Sequence, residues 1–245
     1  MLTHPTIDNL KALRLWGMVK AFETQQQTPE VLDMSFEDRL GLLVDAEFIE
    51  KENKALQSRL KSAKLRQSAC IEEVSLKQHK SIDRALWLSL CDCQWAAQRK
   101  NILVTGKTGV GKSFISSALA QKACREGYSV VFHRAQRLFH DLAVAKATAK
   151  YTTQLSTLQR KDVLVIDDFG LAPLTDEQRR DLLEIVDDRY TKRSTIIISQ
   201  LPVDLWHDTI GDPTIADAIL DRVVHNSYRL ELEGPTLRDP KNIRH

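Results

Sequence analysis

The sequence predicts an α/β fold: a five-stranded parallel sheet covered by helices, preceded by a small all-α N-terminal domain. Three observations carry that expectation. Residues 1–66 place apolar side chains at helical spacing, and from Asn101 onward short β-rich runs alternate with amphipathic stretches. One of those β-rich runs also opens into a glycine-rich loop that leads directly into a helix.

Along the first segment Leu10, Leu13 and Met18 are followed by Leu40, Leu43, Val44 and Phe48, with one clear interruption between Gln25 and Pro29. Residues 67–100 read as a connecting region, whose Trp87, Leu90 and Trp95 supply an apolar face to pack on the next domain. Residues 101–245 then hold strands expected at 101–105, 129–133, 163–167, 195–199 and 228–232. Between them Thr175-Asp176-Glu177-Gln178 is a capping box, and Leu182, Leu183, Val186 and Tyr190 are expected on one face of the helix it starts.

The run Asn101-Ile102-Leu103-Val104-Thr105 leads into Gly106-Lys107-Thr108-Gly109-Val110-Gly111-Lys112-Ser113, and an amphipathic helix continues from Phe114. In that order the glycines let backbone N–H groups turn around the β- and γ-phosphates of a nucleotide, and the helix N-terminus adds its positive end. Lys112 is expected to reach the terminal phosphates and the Ser113 hydroxyl to hold Mg²⁺, so the loop reads as that of an ATP-using protein. The apolar run Val163 to Ile166 ends in Asp167-Asp168. Asp167 is the metal-side candidate and Asp168 the residue to polarise an attacking water, or else a turn residue before Phe169-Gly170. Ser199 and Gln200 close a later strand where a γ-phosphate sensor would sit. Arg222 ends an amphipathic helix and is either an arginine offered to a neighbouring subunit's ATP or one half of a surface pair with Asp221 or a neighbour.

Length and composition narrow the class. The chain of 245 residues can bury a core without disulfides, and 42% apolar with 28% charged residues is the balance of a globular protein. No apolar run approaches the roughly 20 residues that a membrane helix needs, and Met1 to Pro5 lack the basic start of a secretory signal, so a cytoplasmic protein is expected. Cys70, Cys91, Cys93 and Cys124 have no zinc-site spacing and read as reduced thiols. Charge is uneven: six basic residues, Lys61 and Lys64 among them, stand against Glu52 alone from Lys51 to Arg66. Arg134, Arg137, Lys146, Lys150, Arg160 and Lys161 form a second excess against Asp141. Both stretches suit phosphate backbones, and both could instead be solvated faces.

The chain resembles the IstB-type transposition helper ATPases of bacterial insertion sequences, relatives of the DnaC-type helicase loaders. The resemblance rests on Ala63 to Arg66, Ala69 to Glu72, Gly106 to Ser113, Leu164 to Leu171, Leu174 to Arg180, Ser199 to Pro202 and above all Ile210 to Asn226. It implies an AAA+ core behind a helical N-terminal domain, without a substantial C-terminal lid. It further implies ATP hydrolysis with Mg²⁺ at subunit interfaces, ATP-dependent homo-oligomers that bend duplex target DNA, and recruitment of a cognate transposase. A replicative helicase loader is the alternative within the superfamily. By the same likeness Arg222 is the arginine-finger candidate, and Arg134, Arg137, Lys146 and Lys150 face DNA with help from Lys61 and Lys64. Two departures stand out: Asp168 where many AAA+ proteins carry glutamate, and threonine in Gly234-Pro235-Thr236-Leu237-Arg238 where the usual motif has serine.

Overall fold

Proline and glycine punctuate the N-terminal segment less completely than its helices require. The computed structural model describes residues 5–76, 79 and 81–237; the readings made on Met1 to His4 and on Arg238 lie outside the described residues. Helices α1 (Pro5–Ala12), α2 (Trp16–Gln27), α3 (Pro29–Leu32) and α4 (Phe36–Ala63) succeed one another. Thr28, held extended by the proline after it, ends α2, and Pro29 begins α3 where a missing N–H costs nothing. Two further breaks, at residues 13–15 and 33–35, carried no such signal; the first turns on Arg14 at φ 59°.

Contacts divide the chain into two units, Met1–Ser58 and Arg59–His245. In the first, Leu15 gives α2 no capping side chain, and Glu47 of α4 does that work. Its Oε2 accepts from Gly17 N (2.7 Å) and Met18 N (3.2 Å), placing a buried carboxylate on the positive end of α2. The expected apolar face is only partly covered: Leu13, Leu40, Val44 and Phe48 are exposed, Phe48 to 66%.

The division falls inside α4, eight residues before the expected boundary at residue 66, and the contacts give the reason. Arg59 Nε donates to Cys124 O (2.8 Å) and Lys161 Nζ to Ser62 Oγ (3.0 Å), so the last turns of α4 belong with the second unit. The connecting segment belongs there too. It holds α5 (Arg84–Cys91), N-capped by Asp83, and α6 (Gln94–Ala97). Trp87, Leu90 and Trp95 are buried; the Trp95 indole donates to Leu90 O, and Trp95 O accepts from Ser194 Oγ.

The second unit is built on strands β1 (Asn101–Gly106), β2 (Val130–Arg134), β3 (Val163–Phe169), β4 (Ser194–Ser199) and β5 (Ser227–Leu232). All pair in parallel, in the order β2-β3-β4-β1-β5, with Ile102 opposite both Ile196 and Tyr228. Helices α7 (Lys112–Arg125), α8 (Ala135–Ala147), α9 (Tyr151–Arg160), α10 (Asp176–Arg189), α11 (Trp206–Ile210) and α12 (Pro213–Val224) complete it. The order brings the C-terminal ends of β1, β4 and β3 side by side, and β1 reaches β2 only by crossing two strands. That is the kind of switch point at which open parallel sheets bind ligands.

The capping box at Thr175 forms as the sequence indicates, Thr175 Oγ1 accepting from Gln178 N and Gln178 Oε1 from Thr175 N. The apolar face of α10 needs a correction: Leu182, Ile185 and Val186 are buried, whereas Tyr190 is 39% exposed. Tyr190 is the residue after the helix, with extended backbone angles (φ −53°, ψ 129°), so helical phase no longer governs it. Arg189, one position earlier, is buried and donates to the carbonyls of Leu158, Lys161, Asp162 and Ser194 and to Thr195 Oγ1.

Candidate nucleotide site

The phosphate loop sits where β1 ends and α7 begins, and its shape depends on two glycines. Gly106 has φ 141°, and a Cβ there would lie 2.2 Å from Leu232 O on the adjoining β5, a backbone atom with nowhere to go. Gly109 has φ 88°, and its Cβ would strike Thr236 Oγ1 at 2.1 Å. The second contact exists because residues 233–237 return over the loop, Leu237 N donating to Gly109 O at 2.9 Å. The Gly234–Leu237 stretch is thus a strap on the phosphate loop.

Inside the loop Lys112 Nζ donates to Gly106 O (2.6 Å) and Lys107 O (2.7 Å), so its ammonium lies within the curl of backbone. Ser113 Oγ donates to Asp167 Oδ2 at 3.0 Å, joining the first turn of α7 to the end of β3. Asp167 is 1% exposed, and its Oδ1 accepts from Asp168 N. Asp168 itself has φ 59°, at an irregularity in the β3–β4 register between Ile166 and Phe169. This left-handed turn aims its carboxylate into the cavity and away from the strand.

That cavity, of about 430 Å³, is lined by Arg66, His79, Thr108, Phe114, Asp168 and Gln200 among others. Such a volume suits a nucleotide-sized ligand. Thr108 Oγ1 donates to Gln200 Oε1 at 2.6 Å, tying the loop to the end of β4. Burial pulls the pKa of His79 below its ordinary value, which keeps this ring neutral at neutral pH. Ser113 and Asp167 offer the hard oxygens that Mg²⁺ favours, so the residues present fit that ion.

The structure sorts the remaining candidates. Gln200 reaches the cavity, but Ser199 does not: its buried hydroxyl donates to Phe169 O and accepts from Leu201 N. Arg222 lies elsewhere. Its backbone carbonyl accepts from Asn101 Nδ2 at the start of β1, roughly 17 Å from the loop at ~3.3 Å per strand residue. Its guanidinium pairs with Asp187 at 2.6 Å rather than with Asp221, which faces His225. Among the basic residues, Lys146 departs from the sequence expectation of a cation facing outward. It is bound to Glu177 (2.8 Å) and Asp181 (2.6 Å) and lies over the Tyr151 ring. Arg137 pairs with Asp141, and Arg134 Nε stands 3.9 Å from Asp168. Lys61, Lys64 and Lys150 are exposed.

Sequence reasoning gave Arg66 no place in the site. Its Nη1 donates to Asp167 Oδ2 at 2.8 Å, with Ser113 Oγ at 3.4 Å and Asp168 Oδ2 at 3.6 Å. A separation of 101 residues from Asp167 left no local pattern to find it by.

A family model described as IstB-like ATP binding protein matches residues 8–244. The protein y4pL of Sinorhizobium fredii, named provisionally as an insertion sequence ATP-binding protein, is 45% identical over 238 residues, covering 97% of each chain. A Pseudomonas fluorescens relative named in the same way is 43% identical over 203 residues, covering 82% of this chain and 88% of its own. Among solved structures, DnaI is similar with TM-score 0.58 at 21% identity, over 71% of this chain and 92% of that one. The DnaC helicase loader is similar with TM-score 0.55 at 22% identity, over 67% and 97%. These two likenesses establish the fold: an AAA+ P-loop core with a five-stranded parallel sheet.

Proposed function

This chain belongs to the IstB-like ATP binding protein family, and from that premise we propose that it hydrolyses ATP as a DNA-bound regulator of transposition. In this reading it oligomerises on duplex target DNA, bends it and recruits or activates a transposase encoded with it. The observation that carries the proposal is the convergence of Lys112, Ser113, Asp167 and Asp168 at one end of the sheet, with Ser113 and Asp167 3.0 Å apart.

The roles derive from the chemistry of phosphoryl transfer. Backbone N–H groups of the loop and the start of α7 bind the phosphates, and Lys112 exchanges its two carbonyl partners for phosphate oxygens. Ser113 and Asp167 would hold Mg²⁺, which when bound would supply charge neutralisation at the terminal phosphates. Asp168 accepts the proton of the attacking water, and Gln200 orients that water from β4. Arg222 is too far from its own loop to act there, so as a finger it serves a neighbouring copy, leaving Asp187 when the oligomer forms. Hydrolysis then loosens an assembly that ATP had closed.

Electron microscopy of the protein with duplex DNA and a slowly hydrolysed ATP analogue tests this directly. ATP-dependent assemblies on duplex are expected; a protein that remains a single copy under every condition overturns the reading. The structural likeness to the DnaC loader favours one second reading, loading of a replicative helicase. Preference for single-stranded DNA with no response to duplex would move the function there.

The basic residues separate by what they touch. Replacing Lys61, Lys64 and Lys150 together with Glu should lower duplex affinity and reduce the slope of log K against log salt by about one per lost phosphate contact. Lys146→Ala should instead lower the thermal midpoint and spare the slope, because it strips the buried Asp181 of its cation. Fluorescence anisotropy over a salt series reads the slope in each case, and a thermal melt reads the midpoint.

A further inference from the structure

Three oxygens with two formal negative charges meet at the closed end of β3. Ser113 Oγ, Asp167 Oδ2 and Asp168 Oδ2 all lie within 3.6 Å of a single guanidinium nitrogen, Arg66 Nη1. Asp167 is almost fully buried, and a carboxylate in that state needs a partner, because a buried charge left unpaired is strongly destabilising. Arg66 supplies that partner from outside the sheet, from a segment that begins where α4 ends at Ala63. Lys64, at φ 52°, makes the left-handed turn that swings the segment back toward β3.

Two of these oxygens, on Ser113 and Asp167, are the ones that the proposed function assigns to a divalent cation. One position cannot hold both charges. We propose that Arg66 is a built-in cation of the metal subsite, which holds Ser113 and Asp167 in place and must withdraw before a divalent ion takes them. The inference rests on the nucleotide reading for the identity of the site, but its core is a competition between two cations for one set of oxygens.

Two consequences distinguish this arrangement from an ordinary surface pair. Competition weakens the divalent ion by the factor with which Arg66 occupies the oxygens, and by reciprocity the ion weakens the hold of Arg66. Site occupancy is thereby transmitted to residues 64–66. Lys64, one of the three exposed lysines assigned to duplex binding, stands two positions from the guanidinium that is released. An arginine that simply bound phosphate would do the reverse: its removal would weaken both ion and nucleotide.

Mn²⁺ binding to the full chain, read by the loss of the free-ion electron paramagnetic resonance signal without nucleotide, tests the competition. Arg66→Ala and Arg66→Gln should each tighten Mn²⁺ about tenfold over the unmodified protein. Adding Asp167→Asn to either variant should abolish the gain, which locates the ion. Thermal melts give the second readout: Arg66→Ala should melt lower without metal, and MgCl₂ should restore more of its midpoint than it adds to the unmodified protein. Arg66→Lys keeps a charge with a different reach and should fall between; it also replaces the alanine variant if that fails to fold. Unchanged or weaker Mn²⁺ binding in the variants overturns the proposal. Binding of a fluorescent ATP analogue is measured in parallel, both with MgCl₂ and in EDTA, and counts as absent only when neither condition shows it. Its absence from the unmodified protein, beside an intact Mn²⁺ gain, would overturn the nucleotide reading and leave the cation competition standing.

Discussion

Lys112→Ala is expected to abolish ATP turnover and to weaken nucleotide binding by roughly two orders of magnitude. The ammonium lies inside the loop, 2.6 Å from Gly106 O and 2.7 Å from Lys107 O, at the place where phosphate oxygens must enter. Each charge-assisted hydrogen bond that it would make to phosphate contributes about 1.5–3 kcal/mol, or roughly ten- to over a hundredfold in affinity. A further loss of about 10²–10³ in rate comes from removing a positive group aimed at charge that develops during transfer. Titration with a fluorescent ATP analogue and a phosphate-release assay measure the two effects separately. Turnover within about threefold of the unmodified protein would exclude the loop as the reacting site. The fold should survive, because the start of α7 is also fixed by Ser113 to Asp167 and by Ile115 N to Gly111 O.

The second large effect concerns stability alone. Arg189→Met should cost about 3–5 kcal/mol, since it strands acceptors of which those on Leu158, Ser194 and Thr195 are buried. The guanidinium spans the chain reversal between α9 and β3 through Leu158 O, Lys161 O and Asp162 O, and reaches the start of β4 through Ser194 O and Thr195 Oγ1. It acts where two adjacent strands enter the sheet. Burial, with Arg193 adding to it, pulls its pKa down to about 9, and the group still carries its charge at neutral pH. For a chain of this size the loss corresponds to a drop of roughly 6–20 °C in thermal midpoint, read by scanning calorimetry. A midpoint within about 2 °C of the unmodified protein would show that the carbonyls find other donors. Nucleotide affinity well below the transition should be unchanged, because every partner of Arg189 lies at the opposite end of the strands from the loop.

What the sequence made legible and what it hid divide along physical lines. The sheet could be read because β1, β3 and β4 are buried runs of Ile, Leu and Val, each strand expected within two residues of its place. The phosphate loop could be read because its chemistry is contiguous: eight residues carry glycine turns, ammonium and hydroxyl together. Features that depend on distant partners left no such trace. Arg66 acquires its role from two carboxylates a hundred residues on, and Lys146 loses its assumed freedom to Glu177 and Asp181 on another helix. Ser199 and Gln200 are neighbours in sequence, yet only the longer side chain clears the strand end to reach Thr108. In the N-terminal unit, spacing identified helices correctly. It could not say which apolar residues they cover, because Leu40 and Phe48 share a periodicity with residues that are better buried.

The strap across the phosphate loop also sets an order of events during synthesis. Gly109 leaves the ribosome early, but the backbone bond that closes over it comes from Leu237, roughly 130 residues later. The β5 strand whose Leu232 carbonyl packs against Gly106 is made almost as late. At about 5–20 residues per second the loop therefore waits several seconds or longer for its cover. A nascent chain can form β1 to β4 before the nucleotide pocket has its outer wall, so the ability to close around a ligand comes after the strands that carry its chemistry.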